Sequence, residues 1–559
     1  MTKHFSLSRQ LAQALLLVTS VAACQAYAAK AVPSAAAQPK LVVVLVVDGL
    51  PQEQVTRYRE QFGQGGFRRL LEQGAWFSDA HQAHGITVTA IGHSAVLSGA
   101  YPYQHGVIGN NWIDPVTKKS VYCTEDGNFH YIGEETKPDD GTAPTKLRVS
   151  TLGDELRYAT GDKAKVVTVS GKDRGAILLA GKTGTAYMYM EKTGNFASST
   201  YYMQQHPQWV QRYQAVKPQD RYYGKSWTPL LADGAYVNDA RDDLVAAKPG
   251  TRNTFPFAYY SDSGQLDGEY YSRLKSGPFL DELTLEFARA AVDGENLGRN
   301  PAGVPDILGV SLSAHDYVNH AYGPESKMSH DHLQRLDRML AGFFADLDKK
   351  VGMDNVLVVL TADHGFANVP EFTEARGGFT AKRIDGDKLV ASLNQHLATS
   401  LGIDKLVTTS SLPNIYLDYA LAEKGGVHRA ALEDAAARFL LQQDGLAQVY
   451  TRTQMETGAV ATRMDTLMRR AWNRQLSGDL MVVTKPAWYF GKGSGGTSHG
   501  TPYTYDTNVP LMVFGPRWIK PGAYGQYAEV VDIAPTLAHL LRIRQPSASE
   551  GRILTEAVR

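Results

Sequence analysis

Three aspartates of this 559-residue chain stand at or just past the end of a short apolar run. Asp48 follows Leu-Val-Val-Val-Leu-Val-Val at 41–47. Asp316 comes a few residues after the run that opens Asp-Ile-Leu-Gly-Val-Ser at 306–311. Asp363 follows Asn-Val-Leu-Val-Val-Leu-Thr-Ala at 355–362. Ligands of an open parallel sheet bind beyond the carboxyl ends of its strands, so three carboxylates from distant parts of the chain would crowd one crevice. Left unpaired, they would repel one another or take up protons. A divalent cation removes the conflict, and histidines stand nearby to complete its shell. Asp316-Tyr-Val-Asn-His320 puts a carboxylate and an imidazole four residues apart, on one helical face. His364 adjoins Asp363 ahead of Gly365, and His499 lies in the loop Gly-Gly-Thr-Ser-His-Gly-Thr. Mixed oxygen and nitrogen ligands point to zinc, with manganese or cobalt as alternatives. A single Asp-x-x-x-His carries little information; five such elements at strand ends or glycine turns carry much more.

A candidate nucleophile accompanies them. The segment Gly85-Ile-Thr-Val-Thr89-Ala-Ile-Gly-His-Ser94 predicts a helix from about Thr89 to Ser98. A hydroxyl at a helix start is ordinarily a cap. The same place favours an anion, because free N–H groups point there, and a cation touching Thr89 would make its oxygen nucleophilic. Lys172-Asp173-Arg174 follows another valine-rich run at 165–169 and should face the same crevice. Arg offers a fork to two phosphate oxygens and Lys a compact charge; the plain alternative is a surface charge pair. Asn110, in Gly-Asn-Asn-Trp, either donates its amide to an oxygen or shapes a turn.

The elements that position these residues read as an α/β fold: a mostly parallel central sheet with helices on both faces and inserted cap regions. The runs at 41–47, 165–169, 306–311 and 355–360 are short, Val-rich and not alternating, as in strands buried on both faces of a parallel sheet. A fifth, at 509–514, closes the series. Helical spacing is predicted over 52–71, 279–292, 332–350 and 533–541, and alternation of the two argues for the α/β class. A hairpin is expected around Lys192-Thr-Gly-Asn195. The core is divided into 41–186, 278–376 and 493–559, with 187–277 and 377–492 as cap insertions.

The composition is that of an ordinary soluble protein, with 20% charged and 43% apolar residues. Lys plus Arg equals Asp plus Glu, 57 each, so charge gives no reason to expect nucleic acid or an anionic membrane as the main partner. Residues 1–28 read as an export signal: Lys3 and Arg9, an apolar run at 11–23, and the small-x-small site Ala26-Tyr-Ala28. A linker fills 29–40. The apolar run is too short to span a bilayer. Val21-Ala-Ala-Cys24 also fits a lipoprotein box, which would leave a lipid anchor at Cys24. The expected location is periplasmic or secreted, with the anchored form as the alternative. The other cysteine, Cys123, is read as a structural or surface thiol.

Together these segments resemble the alkaline phosphatase superfamily, and among it the phosphate-irrepressible alkaline phosphatases with a threonine nucleophile, relatives of the nucleotide pyrophosphatase/phosphodiesterases. The motifs are Val-Val-Asp48-Gly, Thr89-x-x-Gly-His93, His105-Gly-x-x-Gly-Asn110-Asn, Lys172-Asp-Arg174-Gly, Asp316-x-x-x-His320, Ala-Asp363-His364-Gly and His499-Gly. The resemblance implies two zinc ions, one on Asp316, His320 and His499, the other on Asp48, Asp363, His364 and the Thr89 oxygen. It implies that Asn110, Lys172 and Arg174 hold phosphoryl oxygens, that Thr89 forms a phosphothreonine, and that the substrates are small phosphate monoesters. A phosphodiesterase on the same core is the first alternative, since two extra cations suit the doubly charged monoester. A metal- or phosphate-binding protein without turnover is the second. A sulfatase is disfavoured, because neither cysteine and no serine lies in a C/S-x-P-x-R motif.

Overall fold

All seven residues of β1 (Leu41–Val47) are apolar and fully buried. A strand apolar on both faces needs a partner on each edge and cover on each side. In a computed structural model of the chain, which describes residues 37–240, 254–377 and 380–559, β1 is the central strand of a nine-stranded sheet. The others are β2 (Ala75–Phe77), β3 (Val166–Ser170), β4 (Thr185–Tyr189), β5 (Phe196–Ala197), β6 (Asp306–Leu312), β7 (Val356–Thr361), β8 (Leu511–Phe514) and β9 (Gly522–Tyr524). Their order is β9-β2-β8-β7-β1-β6-β3-β4-β5.

Register decides what this sheet presents. β1 runs parallel to β6, with Val47 opposite Leu312, and parallel to β7, with Val46 opposite Thr361. β3 is parallel to β6, with Ser170 opposite Ser311. The residues that follow these four strands therefore leave the sheet along one edge: Asp48, the 313–316 turn, Ala362-Asp363 and Gly171-Lys172. β8 departs from the expected series by running antiparallel to β7, Leu511 opposite Thr361 and Phe514 opposite Val358. The reason is topological. The chain arrives at β8 from the His499 loop, already at the carboxyl end of the parallel strands, and can only run back.

The helices follow the same logic with one correction. The 52–71 stretch is not one helix but α1 (Gln52–Arg57) and α2 (Phe67–Gln73). Between them Gly63, Gly65 and Gly66 interrupt the pattern, and the Asp337 carboxylate accepts from Gly63 N and Phe67 N at 2.8 Å each. α3 (Thr89–Ser98) has the expected limits, and α4 (Asp173–Ala180) packs on it. α5 (Phe279–Gly294), α6 (Ala314–Tyr322), α7 (Lys327–Lys350) and α8 (Ile533–Leu541) complete the frame. The expected hairpin is β4–β5, antiparallel with Tyr189 opposite Phe196, and it extends the central sheet. A separate antiparallel sheet in the order Val407–Ser411, Asn414–Leu417, Leu480–Thr484, Leu446–Thr451 packs its own apolar cluster, including Leu393, Leu432 and Leu480. Residues 38–559 nonetheless form one compact unit.

The leader, its cleavage site, Cys24 and most of the linker lie outside the described residues. Among the described residues no helix is long and apolar enough to cross a membrane. Cys123 is buried, and burial pushes its thiol up to about 12, so it is structural rather than reactive.

Candidate active site

The three strand-end aspartates converge, each buried. Two sets of ligand-type atoms lie within 4.8 Å of one another: Asp316, His320 and His499, and Asp48, Asp316 and His364. The first is the expected set. In the second Asp316 takes part where Asp363 was expected, so Asp316 is common to both. Asp363 is adjacent, with Oδ2 3.6 Å from His364 Nε2 and Oδ1 accepting from Gly49 N and His364 N at 3.0 Å each.

The donor chemistry suits cations. Each of the three imidazoles directs Nδ1 at a backbone carbonyl: His320 at Thr497 (3.0 Å), His499 at Thr87 (2.8 Å) and His364 at Gly365 (2.9 Å). A carbonyl only accepts, so Nδ1 carries the proton and Nε2 offers its lone pair inward. The three Nε2 atoms surround Asp316 Oδ1 at 3.5, 3.6 and 3.9 Å for His320, His499 and His364. Asp48 Oδ1, Asp316 Oδ1 and His364 Nε2 are buried with no hydrogen-bond partner. Orphaned inward-facing atoms of this kind are costly unless an ion satisfies them.

Electrostatics show the same strain. Burial, then Asp363, pushes the Asp48 carboxyl up to about 7. Burial also works against Asp316, but Lys172 and His320 overcome it and hold that carboxyl well below its usual range. Asp363 is likewise held low, burial being outweighed by His364 and His93. Burial, then His364 and His320, drives His499 far below its ordinary value, and burial lowers His320. The same carboxylates raise His364 against burial.

Thr89 is the first residue of α3 and is buried. The helix reaches the cluster because Gly92 faces the Asp363 backbone: a Cβ there would stand 2.1 Å from the Asp363 carbonyl oxygen. His93 then lies with Nδ1 2.9 Å from Thr89 O and 3.1 Å from Asp363 Oδ2, and Nε2 2.8 Å from Ser311 Oγ. Asn110 Oδ1 accepts from Ala90 N at 2.9 Å. That bond fixes the amide's orientation and turns its NH2 outward from the helix start.

Lys172 is not a surface charge. It is buried, with Nζ 2.8 Å from Asp48 Oδ2 and 2.5 Å from Asp316 Oδ2. Arg174 is half-buried and donates from Nη1 to Tyr122 OH at 3.2 Å. The two cations thus stand at the same edge as the carboxylates.

A supporting network escaped sequence reading. Gln54 Nε2 donates to Pro324 O and Ser329 Oγ at 2.7 Å each, so Gln54 Oε1 must accept from His315 Nε2 at 2.8 Å. His315 Nδ1 then accepts from His332 Nδ1 at 3.1 Å, and His332 Nε2 lies 3.5 Å from Asp281 Oδ2. Asp281 Oδ1 accepts from Ala314 N at 3.0 Å, at the start of the helix bearing Asp316 and His320. His315 beside Asp316 was the only signal in the sequence; its partners come from three other helices.

Comparison with known proteins agrees with this architecture. A family model described as type I phosphodiesterase / nucleotide pyrophosphatase matches residues 42–507. A Myroides odoratus protein named calcium-transporting ATPase is 35% identical over 528 residues, 93% of this chain and 95% of the relative. Alkaline phosphatase PhoV of Synechococcus elongatus is 35% identical over 536 residues, 94% of each chain. The crystal structure of wild-type alkaline phosphatase PafA superposes with a TM-score of 0.86 at 32% identity, covering 94% of this chain and 100% of that one. The chain belongs to the type I phosphodiesterase / nucleotide pyrophosphatase family, within the alkaline phosphatase superfamily.

Proposed function

We propose that this protein is a two-zinc alkaline phosphatase that hydrolyses small phosphate monoesters through a phosphothreonine at Thr89. One observation carries the reading: buried carboxylate oxygens and an imidazole nitrogen with no partner gather beside the first turn of the Thr89 helix. Asp316, His320 and His499 would hold one ion, and Asp48, Asp363, His364 and the Thr89 oxygen the other. Bound there, zinc supplies Lewis acidity that lowers the Thr89 hydroxyl pKa and offsets charge on the entering and leaving oxygens.

The chain's own residues do the rest. Thr89 Oγ1 attacks phosphorus; its bond forms as the ester P–O bond breaks, the hydroxyl proton passes to solvent, and the departing alkoxide takes a proton from water. A water molecule then cleaves the phosphothreonine and returns the free hydroxyl. Lys172 and Arg174 offset the two negative charges of a monoester phosphoryl group, and the Asn110 NH2 donates to one of its oxygens. The relatives named alkaline phosphatases support the monoester reading, while the family's description keeps diesters as the second. Export as a periplasmic or secreted protein, by cleavage after Ala28 or by lipid attachment at Cys24, belongs to the same proposal.

The test is hydrolysis of a chromogenic aryl monoester against its matching diester, with and without chelator, alongside elemental analysis. Monoester preference, loss on chelation and close to two zinc ions per chain are expected. Preference for the diester, or full activity in the stripped protein, overturns the proposal.

A further inference from the structure

Beside the metal-ligand cluster lies a cavity of about 330 Å³ that the proposed chemistry does not use. One side of it is formed by Val88, Asn110, His499 and Gly500, the other by Ser411–Asn414 and Val482–Thr484 with Tyr489 and Phe490. The first group borders the reacting centre. The second comes from the separate antiparallel sheet and from the short strand Tyr489–Phe490, which pairs with Arg383–Ile384. Ser411 Oγ donates to Asn111 O at 3.3 Å, fastening the two sides together. The volume is near the lower end of small-ligand sites, roughly 300–1,000 Å³, enough for one ring system and too small for a polymer.

Its lining includes no Asp, Glu, Lys or Arg. Much of its polar chemistry is already committed. Tyr489 OH donates to Gly496 O at 2.9 Å, Thr484 Oγ1 to Trp488 O at 2.7 Å and Thr501 Oγ1 to Asp506 at 2.6 Å. His499 Nδ1 is bound to Thr87 O. What remains toward an occupant is an uncharged wall, in which backbone, hydroxyl and amide groups outweigh the aliphatic and aromatic surface of residues such as Val88, Leu412 and Phe490. A negatively charged substituent would lose water there and find no Lys or Arg side chain in the lining. A second cavity, of about 420 Å³ around Lys172 and Arg174, has Glu134, Glu135, Asp139, Asp140 and Glu191 on its walls. Lys137 and Lys192 line it too, so that cavity carries charges of both signs, unlike the uncharged one beside His499.

We propose that the cavity beside His499 and Asn110 receives the alcohol part of the substrate, and that it selects esters of uncharged, ring-sized alcohols (aryl, sugar or nucleoside) over those bearing a second negative charge. The inference rests on the monoesterase reading above.

The experiment compares two aryl monoesters with the same phenolic oxygen, one ending in a carboxymethyl group and the other in its primary amide. In the wild type kcat/KM for the amide should exceed that for the acid by about tenfold or more, since a partly desolvated carboxylate finds no Lys or Arg in the lining. Ser411→Arg should bring the ratio toward one. Ser411→Trp, which fills the cavity, should lower kcat/KM for both ring esters while inhibition by inorganic phosphate stays as in the wild type. Phe490→Ala provides an opening variant and should raise KM for the amide ester. Equal kcat/KM for the pair in the wild type, or a ratio unmoved by Ser411→Arg, overturns the pocket assignment. Turnover of neither ester by metal-loaded protein overturns the monoesterase reading, and the pocket with it.

Discussion

Asp331 and Asp48 are both fully buried, yet the fold provides for them in opposite ways. Asp331 Oδ1 accepts from Trp227 Nε1 at 2.6 Å and Arg335 Nε at 2.7 Å, and Oδ2 from Leu230 N at 2.5 Å and Tyr236 OH at 2.7 Å. Four donors converge on one carboxylate. Asp48 has one ammonium neighbour, Lys172, which it shares with Asp316, and its Oδ1 has no hydrogen-bond partner, the nearest imidazole nitrogen being His364 Nε2 at 3.5 Å. A buried charge costs several kcal/mol unless it is paired and hydrogen-bonded. The fold meets that cost at Asp331 with side chains. At Asp48 it leaves the cost to an ion, and this separates a structural carboxylate from one kept for chemistry.

The largest effects test the chemical side. Thr89→Ala should lower turnover on the order of 10⁴-fold or more and eliminate the phosphoenzyme, while metal content is largely kept because six protein ligands remain. Full activity in that variant excludes Thr89 as the nucleophile. Replacing Lys172 and Arg174 together by Ala should cost monoester hydrolysis on the order of 10³-fold and diester hydrolysis much less, because their charges act on the additional oxygen charge. Equal losses would make them supports of the fold rather than of the phosphoryl group.

Next in size is the direct exchange between the two aspartates. Asp331→Ala leaves Arg335, Trp227 and Tyr236 without their acceptor and should cost about 3–5 kcal/mol in stability, with turnover per folded molecule retained. Asp48→Asn should do the reverse: metal binding and turnover fall, by roughly 10²-fold or more, while the chelator-stripped protein becomes no less stable. Thermal melts of both stripped variants beside zinc titrations check this. A destabilised Asp48→Asn with normal metal content would erase the distinction between the two sites.

How far this contrast was legible beforehand depends on the range of each signal. Asp48, Asp316 and Asp363 could be found because the apolar runs before them are local and unbroken, and parallel pairing sends such residues to one edge. Thr89 and Ser98 bounded their helix for the same reason. The reversal of β8 was hidden because Leu511–Phe514 reads like any other buried strand, and direction depends on where the chain has just been. The gap at residues 58–66 is held by Asp337, 270 residues away from Phe67, which helical spacing cannot register. The placing of Lys172 on Asp48 and Asp316 is likewise a tertiary fact. Sequence supplied its charge and its strand end, but not that it would stand between two ligands.

The smallest effect concerns pH and isolates Asp48 in the stripped protein. Its carboxyl is raised to about 7 by burial and by Asp363, from an ordinary value of 3.8. The folded chain therefore binds that proton more tightly than the unfolded chain. Linkage then makes stability fall as pH rises between those two values, by up to about 1.4 kcal/mol per unit; the contribution is complete below the unfolded pKa and gone above about 7. Asn has no proton to lose, so Asp48→Asn should flatten this stretch of the curve. Urea denaturation of stripped wild type and variant at pH 5, 6, 7 and 8 reads the difference. Zinc should also flatten the wild-type curve, because a ligand that binds the carboxylate replaces the proton as its neutralising partner. Parallel curves for wild type and Asp48→Asn would mean that Lys172 alone suffices for Asp48, and that its provision does not differ from that of Asp331 after all.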